Sequence, residues 1–363
     1  MALFCYSLAM FRAGKGTIGL DIGSSYIKIV QLKDIKGGYE LELFDMLPLS
    51  QEIIVDGSVI DSFRLIDSIK ELVRKTKIRT KYTVIGIAGH SSVIIKRISL
   101  PEMSEEELTE SIKFEAEQYV PFNIEDVNLD FQILGPKDEP GQMDVILVAV
   151  KKEIINEYVS AVREAGLDPV IVDVNPFALE NMYEINYEIE PDKNIAIVNI
   201  GASTVNMNVL KGGISVFTRD SAVGSNLHTE ALQREFNLSF ENAERLKRGE
   251  SVENVSSEDA FSVIESASEE IIGDVSRSFE FYRSTELHTE LHKDIDEVVL
   301  SGGGTLIKDF PRLFSDKIGI ETKIIEPFKN IKIPKRFDVS YMEEISPIAA
   351  VATGLALRRP GDR

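Results

Sequence analysis

Two segments of this chain, one in each half of the sequence, repeat an uncommon pattern at the end of a short apolar run. In each, an Asp or Asn is followed two residues later by a glycine and then by small or hydroxyl-bearing residues. The segments are Ile18-Gly19-Leu20-Asp21-Ile22-Gly23-Ser24-Ser25 and Ile195-Ala196-Ile197-Val198-Asn199-Ile200-Gly201-Ala202-Ser203-Thr204. A pattern that occurs twice predicts two structural units of the same kind, each with a tight turn between two strands.

The residues after each turn repeat as well. Gly16 to Phe44 alternate apolar and polar side chains around the turn Lys36-Gly37-Gly38, which is typical of a β-meander. In the second half, the turn Lys211-Gly212-Gly213 separates two further strand-like segments, which begin at Asn194 and Ile214. We therefore expect an α/β fold made of two similar halves.

A third glycine-rich turn follows another apolar run late in the chain. Val298-Val299-Leu300-Ser301 leads into Gly302-Gly303-Gly304 and a helical segment. Glycines there would let the flat face of a base approach the backbone, or a pyrophosphate approach the helix N-terminus. The chain has no G-x-G-x-x-G motif with a later acidic residue and no P-loop motif, which disfavours the Rossmann and P-loop classes.

The chemistry of the two repeated turns suits a phosphate group. Glycine lets backbone N–H groups approach a phosphate without interference from a Cβ atom. Asp21 is a candidate ligand for Mg²⁺, Lys28 can neutralise either a phosphate or Asp21, and Asn199 lacks charge. Further candidate phosphate contacts are Gly23, Ser24, Ser25, Gly201, Ala202, Ser203 and Thr204. The first turn alone is more simply interpreted as a plain hairpin, but two turns predict a clamp on the β- and γ-phosphates of a nucleotide held between the halves.

A compact α+β module interrupts the first half. Its predicted strands are Tyr82–Ala88, Ser92–Leu100, Asn128–Leu134 and Asp144–Val150, and its predicted helices are Glu105–Val120 and Lys152–Ala165. The first helix opens with a capping box, Ser104-x-x-Glu107, and places Leu108, Ile112, Ala116 and Tyr119 on one face. The second half is predicted to continue with three helices, which include Phe240–Arg248 with Ser239 as its N-cap.

Composition excludes several functional classes. The formal net charge is −20 and the pI is about 4.8, which argues against nonspecific nucleic-acid binding and against adsorption to anionic lipid. The single cysteine, Cys5, cannot build a disulfide framework or a cysteine zinc site. His288 and His292 have the spacing of a metal pair on a helix, although a solvated helix face is the simpler interpretation.

The first 15 residues are interpreted as an N-terminal tail. Met1 to Phe11 are apolar, but the cations Arg12 and Lys15 follow this stretch instead of preceding it, unlike a signal peptide. Met10 is a second candidate start. Because no segment reaches the 20 or so apolar residues of a membrane span, we expect a cytoplasmic protein without direct membrane insertion.

Taken together, these motifs resemble those of the actin-like ATPase superfamily, in which two RNase H-like halves bind ATP. The two turns are similar to its phosphate motifs and Leu300 to Gly304 to its adenosine motif. The segment Ala243-Glu244-Arg245-Leu246-Lys247-Arg248 resembles its adenosine-side helix, which implies that Glu244 hydrogen-bonds the ribose and Lys247 lies over the base. Asp173 and the helix from Pro176 are similar to the first connecting segment, and Ala349 to Leu357 to the second. The resemblance makes Asp173 the candidate catalytic residue.

Within the superfamily, the chain resembles the PilM family of type IV pilus assembly proteins, which is related to FtsA. The resemblance rests on Glu115-Ala116-Glu117-Gln118-Tyr119-Val120-Pro121-Phe122, Leu129-Asp130-Phe131-Gln132, Val172-Asp173-Val174-Asn175-Pro176-Phe177 and the ending Gly354-Leu355-Ala356-Leu357-Arg358. It implies an ATP-binding protein that captures the N-terminal cytoplasmic segment of PilN and self-associates into a ring at the inner membrane. Other inner-membrane pilus components and the assembly motor are further implied partners.

The resemblance also implies a division into subdomains. Residues 16–80 and 166–190 belong to subdomain 1A, 81–165 to an inserted SHS2-type subdomain 1C, 191–235 and 296–340 to subdomain 2A, 236–295 to subdomain 2B, and 341–363 to a C-terminal helix that returns to 1A. Small residues from Ala349 to Gly354 would let two helices cross closely. The superfamily usually has Asp where this chain has Asn199, so we expect ATP binding with at most slow hydrolysis.

Two alternatives stay open at this point. A small-molecule kinase of the same fold needs a base near the γ-phosphate, for which Asp173 is the evident candidate. A relative of FtsA or of a type II secretion component is the other. FtsA ends in an amphipathic membrane helix, whereas the residues Arg358 to Arg363 contain none; we therefore expect recruitment to the membrane through a protein partner.

Overall fold

The computed structural model describes residues 4–5, 16–89, 91–137, 139–286 and 294–362. The chain forms two compact units. The first comprises Met1–Met182, Val216–Thr218 and Val351–Arg363, and the second comprises Tyr183–Ser215 and Arg219–Ala350. Almost all of the predicted N-terminal tail, residues 1–15, lies outside the described residues, as do His288 and His292.

The first unit is built around a sheet whose strands are separated by helices in the sequence. In chain order its elements are β1 (Phe4–Cys5), β2 (Ile18–Ile22), β3 (Tyr26–Ile35), β4 (Gly38–Pro48), β5 (Ile54–Val55), β6 (Ser58–Val59), α1 (Ser62–Thr76), β7 (Tyr82–Ile87), β8 (Val93–Pro101), α2 (Glu105–Ala116), β9 (Val127–Pro136), β10 (Gln142–Lys151), α3 (Lys152–Glu164), β11 (Asp168–Val174) and α4 (Asn175–Asn186), which runs into the second unit. The strands that this unit contributes to its main sheet have the order β4-β3-β2-β7-β11-β1. Strands β2 and β3 are antiparallel, whereas β2, β7 and β11 are parallel to one another.

The second unit continues with β12 (Asn194–Ile200), β13 (Val205–Lys211), β14 (Ile214–Ser221), α5 (Asn226–Phe236), α6 (Phe240–Lys247), α7 (Ser257–Glu286), β15 (Glu297–Ser301), α8 (Phe310–Ile318), β16 (Thr322–Ile324), β17 (Ile331–Lys332) and α9 (Val339–Ile345). Val216–Thr218 of β14 are grouped with the first unit, and α10 (Ala350–Leu357) returns the chain to it. The sheet order is β14-β13-β12-β15-β16. Strand β12 is antiparallel to β13 and parallel to β15. In each sheet the strand before the glycine turn, β2 or β12, therefore lies between an antiparallel neighbour, β3 or β13, and a parallel one, β7 or β15. The repeat predicted from sequence is a repeat of topology.

The inserted module contains one strand fewer than predicted. Strand β7, assigned from sequence to the module, pairs with β2 and β11 in the main sheet. The module's own sheet has the order β8-β10-β9 and is antiparallel throughout. The helix predicted to end at Val120 ends at Ala116, although its predicted capping box is present.

The central strand of the inserted sheet, β10, is buried on both faces. One face packs against α2 in a cluster that includes Val145, Leu147 and Leu108. The other face, with Ile146 and Val148, belongs to the core that surrounds α1 and α3. This explains why β10 is an almost unbroken apolar strand instead of an alternating one.

Helix α10 packs against the first unit through backbone contacts. A Cβ atom at Gly354 would lie 1.7 Å from the carbonyl oxygen of Ala178 in α4, and one at Gly19 would lie 2.1 Å from the carbonyl oxygen of Ala352. The close crossing predicted from the small residues of this segment is therefore confirmed for Gly354.

The apolar spacing between Val59 and Lys77 predicts a helix over these residues, and helix α1 starts later than that. It begins at Ser62, with Asp61 as N-cap, although the apolar spacing predicts a helix from Val59. Ile60 and Phe63, which the same spacing places on the buried face, are 63% and 81% exposed. The hairpin of β5 and β6 occupies the chain up to Val59, so Ile60 precedes the helix. Phe63 lies in the first turn of α1 but points away from the buried stripe of Leu65, Ile66, Ile69 and Leu72.

Candidate functional site

The glycine turn of the first unit joins β2 to β3 and is closed by a buried ion pair. Asp21 and Lys28 are opposite each other in the antiparallel register. The Lys28 ammonium lies 2.6 Å from Oδ2 of Asp21, and both side chains are almost fully buried. The Gly23 amide donates to the carbonyl oxygen of Tyr26 across the turn, at 3.0 Å. Of the two roles predicted for Lys28, the structure supports neutralisation of Asp21.

The turn of the second unit has the same geometry without the charges. Asn199 and Asn206 are opposite each other in the register of β12 and β13. The Asn199 amide nitrogen donates to Oδ1 of Asn206 at 3.1 Å, and the Gly201 amide donates to the carbonyl oxygen of Thr204 at 2.8 Å. An amide pair thus occupies the position that the ion pair holds in the first unit.

The triple glycine packs directly onto this second turn. A Cβ atom at Gly302, where φ is +85°, would lie 2.5 Å from the Ile200 carbonyl oxygen and 2.7 Å from Oδ1 of Asn199. A Cβ atom at Gly304 would lie 2.3 Å from Cγ2 of Ile200, whereas Gly303 faces open space. Packing therefore explains two of the three glycines. Gly303 alone offers uncovered backbone to a ligand, beside the turn that contains Asn199.

Helix α6 brings Glu244 and Lys247 together in the second unit. The helix begins after the predicted N-cap, Ser239, and ends at Lys247, one residue before the predicted end. The Lys247 ammonium donates to Oε1 of Glu244 and, at 2.8 Å, to Oγ1 of Thr229, which itself donates to Oε1 of Glu244. The Lys247 side chain is 7% exposed and the Glu244 side chain is 24% exposed. Glu244 is thus held in one orientation with part of its carboxylate open to solvent.

Thr229 and its neighbour His228 are also parts of this site, although the sequence did not predict them. Both belong to α5, and His228 is fully buried. Its Nε2 lies 3.0 Å from Oγ of Ser268, and its ring meets the edge of Phe310. No local motif marks these residues, because they reach Lys247 only through the packing of α5 on α6.

Burial is the main cause of the lowered pKa values of Lys247 and His228. It lowers the pKa of Lys247, an effect that the Glu244 carboxylate opposes. Burial also lowers the pKa of His228 to about 4, and the Lys247 ammonium acts in the same direction. At neutral pH, His228 is therefore neutral beside the ion pair.

The predicted catalytic residue, Asp173, is fully buried in the first unit. Its Oδ2 lies 3.2 Å from Nε of Arg358, which is also buried, and its Oδ1 accepts a hydrogen bond from the Val174 amide at 2.8 Å. Burial raises the pKa of Asp173, while Arg358 opposes that increase. A carboxylate in this position fastens the segment after α10 to β11. A catalytic role for it stays a prediction, and its burial disfavours the kinase alternative.

Comparison with known proteins shows the family of this chain. Residues 19–360 match the family described as type IV pilus assembly protein PilM. The chain belongs to the PilM family. It is also 30% identical to a chain of a PilM–PilN type IV pilus biogenesis complex, with a TM-score of 0.83 over 96% of this chain and 99% of that one.

More distant structures share the fold of this PilM-family chain. The ethanolamine utilization protein EutJ from Carboxydothermus hydrogenoformans is 18% identical, with a TM-score of 0.58 over 95% of this chain and 90% of that one. MreB5 of Spiroplasma citri bound to ADP is 15% identical, with a TM-score of 0.51 over 94% and 95%. The actin-like ATPase fold predicted from sequence is confirmed.

The donors for a metal ion are sparse in this PilM-family chain. Across the described ranges, no group of three His, Cys, Asp or Glu residues could hold a metal ion. Asp21, the predicted Mg²⁺ ligand, lies against Lys28, so it could act only as one carboxylate beside the phosphates of a bound nucleotide, as is usual for Mg²⁺. Within the same ranges, every helix is too short or too polar to cross a membrane.

His228 should make the stability of the PilM-family chain depend on pH. Its pKa is about 4 in the folded chain and 6.5 without perturbation, so the unfolded chain binds the extra proton between these values. The free energy of unfolding is therefore not reduced by His228 above pH 6.5. As the pH falls from 6.5 toward 4, protonation of His228 in the unfolded chain lowers it by up to about 3 kcal/mol. Urea unfolding at several pH values should show a weaker pH dependence for His228→Phe than for the original chain.

Ser268→Ala is the control for this measurement, because it removes the hydrogen bond to His228 but leaves the titrating ring. It should lower stability equally at each pH. Identical pH dependence in the original chain and in His228→Phe would show that His228 does not contribute.

Proposed function

We propose that this chain binds ATP and captures the N-terminal cytoplasmic segment of PilN within the type IV pilus machine. The observation that carries the proposal is the likeness to a chain of a PilM–PilN complex, which extends over 96% of this chain and so includes the inserted module. The family to which the chain belongs is one of pilus assembly proteins. ATP binding and PilN capture are two parts of one proposal and can be tested separately.

In the second unit, the adenosine would be held by α6 and the triple glycine. The partly open carboxylate of Glu244 is suited to accept hydrogen bonds from ribose hydroxyls, while Thr229 and Lys247 fix its orientation. Because Lys247 is almost fully buried, it would act chiefly by holding Glu244, with little of its surface left for the base. Gly303 would provide the uncovered backbone against which a flat base can lie.

The phosphates would be held by the two glycine turns. The candidates are Gly201 to Thr204 in the second unit and Gly23 to Lys28 in the first, where backbone N–H groups and hydroxyls are donors. Asp21 would be the carboxylate nearest to a phosphate-bound Mg²⁺. Because Asn199 is neutral and bonded to Asn206, we propose that ATP is bound much faster than it is hydrolysed and that binding itself is the output.

PilN capture is assigned to the inserted module. Strand β8 is an edge of its three-stranded sheet, and α2 covers one face of that sheet. An edge strand can accept an extended peptide as an additional strand, and α2 would border it. Through PilN the protein would lie at the inner membrane, where contact with other inner-membrane components and the assembly motor, and self-association into a ring, complete the proposal.

Titration of a synthetic PilN N-terminal peptide, with and without ATP and Mg²⁺, tests the proposal by calorimetry. We expect direct binding of ATP and about tenfold tighter binding of the peptide in its presence, which is a coupling of ordinary size. Glu244→Ala should weaken ATP binding by at least about tenfold, because it removes the carboxylate proposed to accept hydrogen bonds from the ribose hydroxyls.

Glu241→Ala is the matched control. It removes a carboxylate from the first turn of the same helix, on its exposed side, and should leave ATP affinity unchanged. The proposal is wrong if the original chain binds no ATP and its affinity for the peptide is the same with and without nucleotide.

A further inference from the structure

A strongly basic segment stands out against the acidity of the chain. Five of the eight residues from 74 to 81 are cationic and none is acidic, whereas the whole chain has a net charge of −20. The five are Arg74, Lys75, Lys77, Arg79 and Lys81, and we call them the basic segment. It begins in the last turn of α1 and continues through Lys77, a left-handed C-cap with φ of 54°, into the loop before β7.

The cations of the basic segment are open to solvent and almost all unpaired. All five side chains are exposed. Lys75 pairs with Asp45 at 2.7 Å, but the other four form no ion pair with any residue in the described ranges. Their charges are therefore not neutralised within the part of the first unit that the structure describes.

The basic segment also borders a concave surface. Arg79, Lys81 and Lys33 line an open cavity of about 920 Å³ near the start of β7. Three carboxylates line it too, but Asp34 accepts from Arg359 and Glu42 accepts from the Gln31 amide. Asp168 is the third. None of the three carboxylates forms an ion pair with the basic segment in the described ranges, so its cations are available to an external acidic group.

The complementary surface is the outward side of α2. Between residues 102 and 117 there are seven glutamates and one lysine: Glu102, Glu105, Glu106, Glu107, Glu110, Glu115, Glu117 and Lys113. The helix buries Leu108, Ile112 and Ala116. On its other side Glu106, Glu110 and Glu117 are exposed and form no ion pair with any described residue, and Phe114 is 73% exposed among them. We call this side the acidic face.

The basic segment and the acidic face cannot neutralise each other within one molecule. The basic segment leads into the start of β7, and the inserted module begins after the end of that strand. The five residue steps of β7 span about 17 Å. The acidic face then lies beyond the inserted sheet, on the side opposite α3. None of the ion pairs in the described ranges joins the two surfaces.

We propose that the basic segment of one molecule docks on the acidic face of a second copy. The two surfaces are different, so the contact is heterologous, and each molecule keeps one free surface for the next; repetition yields a ring or a filament. The exposed ring of Phe114 would pack against the aliphatic stems and guanidinium groups of the basic segment. The proposal supplies the contact for the self-association that forms part of the proposed function, and it rests on that part.

Charge reversal on each side, followed by mixing, tests the proposal by sedimentation velocity on the full chain. Arg74→Glu/Arg79→Glu/Lys81→Glu and Glu106→Arg/Glu110→Arg/Glu117→Arg should each weaken self-association by at least about tenfold, because like charges then face each other. An equimolar mixture should recover association, since every contact is again between opposite charges. Salt should weaken association of the original chain, because these charges are exposed.

Arg234→Glu/Lys308→Glu/Arg312→Glu is the matched control, with the same change in net charge on the second unit. It should associate like the original chain. The proposal is overturned if the original chain stays monomeric, if either reversed variant associates normally, or if the mixture does not recover. It is also overturned if the basic-segment variant loses only binding to anionic phosphatidylglycerol vesicles. Titration of the PilN peptide on each variant separates these outcomes from failure of the proposed function, because the basic-segment variant should bind the peptide normally.

Discussion

Asp173→Ala is expected to lower the free energy of unfolding by about 3–5 kcal/mol, because it removes the ion-pair partner of the buried Arg358 guanidinium. Both side chains are 5% exposed or less. Chemical unfolding followed by circular dichroism measures the loss. A purely catalytic role for Asp173 predicts the opposite result, namely unchanged stability with reduced ATP turnover.

The double variant Asp173→Leu/Arg358→Met is the control for this prediction. It replaces the buried pair by apolar side chains of similar size, which is often neutral or stabilising. We expect it to recover most of the stability lost in Asp173→Ala. If it is as unstable as the single variant, the loss comes from packing and not from the unpaired charge.

Gly354→Ala is expected to lower the free energy of unfolding by more than about 3 kcal/mol, which is at the upper end for overpacked sites. The added methyl group would lie 1.7 Å from the carbonyl oxygen of Ala178. Backbone cannot rotate away as a side chain can, so α10 and α4 must separate. Thermal unfolding of the purified variant measures the effect.

Gly273→Ala provides the comparison within the same chain. Gly273 lies in α7, where a Cβ atom would meet only the flexible end of Arg277, at 3.5 Å. Alanine is the better helix former, so this variant should gain up to about 1 kcal/mol. If both variants lose stability equally, the close crossing at Gly354 is not what makes its glycine necessary.

Local patterns predicted the parts of the fold that depend on neighbours in sequence. The alternation from Gly16 to Phe44 and the matching turns gave the meander of each half, because the side chains of a strand alternate with period two. The Ser104 capping box and the limits of α6 were predicted to within a residue, since caps are built from adjacent backbone. The structure adds that the two halves also share the order of these strands in their sheets.

Contacts between distant segments could not be predicted in the same way. The sequence of β7 is equally consistent with a strand of the inserted module and with a strand of the main sheet. Only its pairing with β2 and β11 shows that it belongs to the main sheet. The ion pair between Asp173 and Arg358 and the hydrogen bond from Thr229 to Glu244 each join separate elements. Each of these residues has an ordinary local context, so neither interaction leaves a motif.

The matched pairs in the two turns constrain how the second turn could change. A lone Asn199→Asp substitution would place a negative charge at a nearly buried position whose partner, Asn206, is neutral. A lone Asn206→Lys substitution would place a positive charge opposite an amide. Only the two substitutions together would recreate the pair formed by Asp21 and Lys28. Their effects on stability would therefore not add, as is usual for residues in contact. A charged pair in the second turn therefore cannot be reached through single substitutions without an intermediate that has an unpaired charge in a nearly buried position.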